Sequence, residues 1–79
     1  MAARVVVWGT GNVGRPAIRA VLAHPELELA GVVVHDPAKV GIDAGALANT
    51  DVAGVAATDD IRLATSDEVD AVVYAVNAD

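Results

Sequence analysis

The 79-residue chain has no cysteine and no phenylalanine, one tryptophan, one tyrosine and only five basic residues. Without cysteine there is no disulfide scaffold, and the common zinc-finger frameworks lack their thiolate ligands. Five lysines and arginines against eleven acidic residues leave a formal charge of −6. That balance argues against general nucleic-acid binding, which needs a basic surface to meet phosphates. Long hydrophobic runs are missing too. The longest, Val5 to Trp8 and Ala71 to Val76, fall far short of the roughly 20 residues that span a bilayer. Met1-Ala2-Ala3-Arg4 leads straight into the first of these runs, which is too short for the apolar core of a signal peptide. What is abundant is apolar side chain: 54% of the residues are hydrophobic, which excludes disorder. The expectation is a small soluble cytoplasmic module, at most one domain long.

Strands alternate with helical segments along the chain. Arg4 to Trp8 is a β-branched run closed by Gly9, and it reads as a first strand. Val13, Ala17, Ile18, Val21 and Leu22 then recur with helical spacing, with Asn12, Arg15 and Arg19 on the other side. Pro16 falls in the first turn, where its missing N–H leaves no bond unmade. His24-Pro25 ends the helix, because the residue before proline avoids the helical region. Leu27 to Val34 reads as a second strand, apolar at consecutive positions and so buried on both faces of a parallel sheet. A short helix is expected over about 43–48 with Asp43 as its N-cap. A third strand is expected over Gly54 to Ala57, single helical turns at Asp59 to Leu63 and Ser66 to Glu68, and a fourth strand over Ala71 to Val76.

Such alternation predicts an α/β fold, a Rossmann-type doubly wound parallel sheet with strand order 3-2-1-4. In that order both crossover helices lie on one face, leaving only fragmentary turns for the other. The fourth strand becomes a sheet edge. Residues 1–79 are therefore expected to be the front part of a larger protein. A mini-domain that forms a homo-oligomer through the open face is the alternative.

The informative motif is Gly9-Thr10-Gly11-Asn12-Val13-Gly14, a G-x-G-x-x-G run that follows a strand and opens a helix. Gly9 permits the tight strand-to-helix turn. A bare Gly11 lets a pyrophosphate approach the backbone amides, and Gly14 lets the helix pack close to the strand. The phosphates would face the free N–H groups and the positive end of the helix dipole. No acidic residue lies between Met1 and Glu26 to repel them, and Arg15 adds positive potential. His35 and Asp36 end the second strand, where an adenosine ribose is met. Asp36 suits either the ribose hydroxyls, favouring NAD, or a turn before Pro37. His35 suits adenine, ribose or plain surface. Lys39 and Arg15 can instead accommodate the extra phosphate of NADP, so both NAD(H) and NADP(H) stay open as cofactor.

No catalytic residue and no metal site is expected. The acidic residues beyond Asp36 are dispersed through loops and caps, His24 reads as a helix-end residue, and Trp8 and Tyr74 as packing. Asn77, just past the fourth strand, is either a loop residue or a cofactor neighbour.

The run Val5 to Arg15, together with Gly31-Val32-Val33-Val34-His35, Lys39 to Gly45 and Val72-Val73-Tyr74, resembles the N-terminus of the dihydrodipicolinate-reductase-like proteins. Within these it is most similar to the NAD(P)H-dependent amine dehydrogenase group of the 2,4-diaminopentanoate dehydrogenase type. The resemblance implies a Rossmann domain, NAD(P)H, and hydride transfer at a carbon–nitrogen bond. It carries Gly9, Gly11 and Gly14 onto the pyrophosphate and His35-Asp36 onto the ribose. It also implies that the residues for substrate and catalysis belong to a C-terminal domain, so that this chain alone is not expected to catalyse.

Overall fold

The computed structural model describes residues 2–11 and 14–75; the expectations for Asn12, Val13, Val76 and Asn77 lie outside them. Three parallel strands form the sheet, in the order β2-β1-β3: β1 is Ala3–Trp8, β2 Leu27–Val33 and β3 Ala71–Tyr74. Between β1 and β2 runs the helix α1, Gly14–Ala23, and α2 is the single turn Ala44–Leu47. Short 3-10 turns cover Pro37–Lys39 and Ile61–Thr65. None of the described helices is long and apolar enough to cross a membrane.

β1 lies at the centre because its Val5-Val6-Val7 core pairs on both edges. Val7 meets Val32 on one side and Val73 on the other. The β1–β2 register slips between Val5 and Val6, leaving Ala30 as the extra residue, so that Leu29, Val32 and Val34 share the α1 face. On that face Val5 and Val7 pack with Ile18 and Val21 of α1 and with Ala44 and Ala48 at α2. Fully burying one such side chain contributes on the order of 1.5–3 kcal/mol. The opposite face carries Val6, Val33 and Gly31, and its cover is the Ile61–Thr65 turn, whose Leu63 side chain occupies the space a Cβ on Gly31 would need. Both helices on one face and a thin cover on the other is the arrangement expected from the sequence.

The expected third strand does not form as such, so the described sheet has three strands and not four. Thr58 makes a single parallel bridge to Val33, bonding Val32 and Val34 on the outer edge of β2, while Ala56 bridges antiparallel to Asp43. The cause is Asp43. As the N-cap of α2 its carboxylate accepts from Gly45 and Ala46, and it also accepts from the amides of Ala53, Gly54 and Val55. Those three donors are spent on a side chain and cannot join a ladder.

The Ala53 N–H above all, with those of Gly54, Gly45 and Ala46, holds the Asp43 carboxyl below the usual carboxylate range against a smaller opposing effect of burial. A group whose folded pKa is depressed contributes stability above its unfolded pKa and loses it as pH falls through the folded value. Asp43→Asn, which turns one acceptor into a donor facing these amides, is expected to lower the melting temperature at pH 7. The gap to the parent should be flat down to about pH 4 and narrow below it. Thermal melts of both proteins from pH 7 to pH 2 check this.

β3 is the edge strand, and all four of its residues are exposed, Tyr74 at 66%. It is pinned at its start by Asp70, whose carboxylate accepts from the Arg4 N–H at 2.8 Å and whose own N–H donates to the Arg4 carbonyl at 2.8 Å. At its far end Tyr74 meets Trp8 edge to face, ring centroids 5.3 Å apart.

Candidate functional site

A cavity of about 210 Å³ opens at the carboxyl ends of the three strands. After β1 it is lined by Gly9, Thr10 and Gly11, after β2 by Val34, His35 and Asp36, and after β3 by Ala75, with Lys39 closing one side. β2 and β3 leave the central strand in opposite directions, so this is the switch point of the sheet, where doubly wound folds bind ligands.

The glycine turn is built by backbone constraints. Gly9 takes φ +111, a region side-chain-bearing residues rarely enter, and its N–H is held by the Val33 carbonyl at 2.8 Å. A Cβ on Gly14 would fall on the Gly9 carbonyl oxygen, so the start of α1 abuts the end of β1. The Gly11 carbonyl accepts from the Arg15 N–H at 3.1 Å, which is the first bond of the helix. Cavity, glycine turn and helix beginning therefore coincide. That end of a ten-residue helix carries partial positive charge, which suits an anion.

Charge reaches the cavity from the β2 side. Asp36 is the N-cap of the Pro37–Lys39 turn, with its Oδ1 accepting from the Ala38 N–H at 2.9 Å. This realises the turn reading of Asp36, and its residue still lines the cavity. Lys39 reaches across from that turn and donates its ammonium to Thr10 Oγ1 at 3.1 Å. His35 is exposed at the rim. Arg15, although in the first turn of α1, is exposed and is not part of the described lining.

Of the residues singled out from the sequence, Gly9, Thr10, Gly11, His35, Asp36 and Lys39 are brought to one cavity, and Gly14 shapes it from behind. The Lys39–Thr10 contact, which joins residues 29 positions apart, carried no local signal. Val34 and Ala75 were equally silent, although each stands one residue past a strand, where cavity walls of such sheets arise. The other candidates have structural posts. His24 Nδ1 accepts from the Glu26 N–H beyond the end of α1, and Asp60 pairs with Arg62 at 2.9 Å.

Comparison with known proteins places this geometry. The family "Dihydrodipicolinate reductase, N-terminus" matches residues 3–75. An amine dehydrogenase of Streptomyces virginiae is 61% identical over 75 residues, 94% of this chain and 21% of that protein. The solved structure of an amine dehydrogenase from Mycobacterium smegmatis superposes with a TM-score of 0.80 at 30% identity, over 98% of this chain and 23% of the other. The chain thus spans about a fifth of the length of these relatives.

Proposed function

Because this chain belongs to the dihydrodipicolinate reductase family, through that family's N-terminal domain, we propose that its cavity holds a nicotinamide dinucleotide. The observation that carries this reading is the close seat of Gly14 on the Gly9 carbonyl. It sets the first turn of a helix directly behind a bare turn, with a cavity in front. A bare turn backed this closely by a helix beginning fits a group whose charged oxygens must approach backbone amides closely.

In this reading Gly9 to Gly14, with Thr10, Asn12 and Val13, form the pyrophosphate loop. His35 and Asp36 take the ribose side, and Lys39 supplies the positive charge. When bound, a nicotinamide dinucleotide supplies or accepts a hydride. The residues of this chain bind and orient the cofactor's adenine half. Asp36 suits NAD and Lys39 suits the additional phosphate of NADP, so both cofactors are admitted. The names of the relatives point to an oxidoreductase acting on amines, and residues 1–79 would be the cofactor-holding front of its dinucleotide-binding domain. A C-terminal domain would supply the substrate groups. Orientation of two reactants is worth much of such a barrier, and no turnover is expected from this chain alone.

A second reading rests on the exposed strand β3. Val72 and Tyr74 lie uncovered beside Trp8, which suits a module that docks onto another subunit and signals the nucleotide without turnover. Ligand-dependent association separates it from the first.

The test is a thermal shift with NADH and NADPH. The parent chain should be stabilised by either or both, and Gly11→Val should abolish the shift, because its side chain would fill the approach to the amides. Undiminished stabilisation of Gly11→Val would reject the loop as the phosphate site.

A further inference from the structure

We propose that Asp36 acts on cofactor choice as a positioning residue for Lys39, so that losing its cap on the turn weakens, and does not strengthen, binding of the phosphate-richer dinucleotide. The proposal rests on the dinucleotide reading above. An acidic residue ending the second strand is ordinarily taken as a ribose acceptor that repels a 2′-phosphate. The hydrogen bonds here give the opposite sign.

Asp36 holds the Pro37–Lys39 turn twice. Its Oδ1 accepts from the Ala38 N–H at 2.9 Å, and its carbonyl accepts from the Lys39 N–H at 2.9 Å. The turn then delivers the Lys39 ammonium to the Thr10 hydroxyl at 3.1 Å. Thr10 is itself buried between Gly9 and Gly11. Lysine has a flexible four-carbon stem, and its charge stays at one point only if the backbone beneath it is fixed. Among the described residues Lys39 is the cation lining the cavity, and the ion pairs, which lie away from it, are made by Arg4 and Arg62. Its ammonium therefore has no ion-pair partner among the described residues, although Asp36 lines the same cavity. Removing the cap at Asp36 frees the turn and withdraws that charge, whereas an uncharged cap keeps it in place.

Asn caps as well as Asp, and alanine does not cap. Asp36→Asn is therefore expected to keep NADPH affinity at or above the parent's, since it keeps the turn and drops the repulsion. Asp36→Ala should lose NADPH affinity by about three- to tenfold, the scale of one lost cap. Lys39→Met should weaken NADPH binding as well, and adding Asp36→Ala to it should cost little more. Fluorescence titration of the full chain with NADH and NADPH reads all four. A second arm needs no cofactor: the Thr10 amide and methyl resonances should move in Asp36→Ala as they do in Lys39→Met, and stay put in Asp36→Asn. Tighter NADPH binding by Asp36→Ala, additive losses in the double variant, or an unmoved Thr10 would each overturn the proposal. If the parent chain bound neither dinucleotide, the cavity reading would fall, while the Thr10 resonances would still decide whether Asp36 places Lys39.

Discussion

Gly14→Ala is expected to leave a much less stable protein, although alanine is the better helix former. The added Cβ falls on the Gly9 carbonyl oxygen and lies 2.5 Å from its carbon. Both are backbone atoms, so no flexible side chain can swing aside. Gly9 cannot retreat, because its N–H is tied to Val33 at 2.8 Å and its φ is +111. The gain in helix propensity is about 1 kcal/mol. Forcing an extra carbon into a filled space costs about 1–3 kcal/mol and occasionally more, and a rigid backbone neighbour puts this case at or above the upper end. A net loss of about 2 kcal/mol corresponds to about 8–16 °C in melting temperature for a domain of this size. Circular dichroism melts of the two proteins check it. An unchanged melting temperature would mean that helix and strand end do not meet this closely, and the cradle would lose its physical basis.

Ile18→Ala is expected to have the largest effect in the core. Ile18 is 0% exposed and packs with Val5, Val7, Val21 and Leu29 between helix and sheet. Truncating such a residue costs about 2–5 kcal/mol, part lost transfer energy and part the cavity left behind. Total stability scales at about 0.05–0.15 kcal/mol per residue, so this one change removes a large share of it. The urea midpoint should fall steeply with an unchanged slope. Leu22→Ala, one helical step on and 39% exposed, should cost far less. Similar losses from both would contradict the orientation of α1.

These two residues also mark what is legible in the amino-acid sequence itself. Ile18 was placed by helical spacing, and Gly14 by its position in a glycine motif between strand and helix. The same local rules placed Pro16 in the first turn of α1, its end at His24-Pro25, and the N-cap at Asp43. They failed where a side chain from elsewhere took over the backbone. The amides of Gly54 and Val55 look like strand donors in sequence, but with that of Ala53 they point at Asp43, ten to twelve residues back. β3 was legible as an edge, yet its apolar residues promised burial on both faces, and all four are exposed. In the cavity, the residues after β1 and β2 were legible because strand ends in this fold converge. Lys39 was legible as a cation for a phosphate, but its contact with Thr10 was not, since that depends on a turn geometry set by Asp36 and on a partner 29 residues away.

The clasp between Arg4 and Asp70 joins residues 66 apart, and the central strand waits on it. As the polypeptide leaves the ribosome, β1 emerges first but gains its second neighbour only when residue 74 is out. Until then one whole rim of Val5, Val6 and Val7 is bare, a template for the wrong chain. Closing so long a loop precedes any reward from the contacts it makes, which slows assembly. Nascent copies held close together on one message would therefore be exposed to cross-pairing until Tyr74 has left the ribosome.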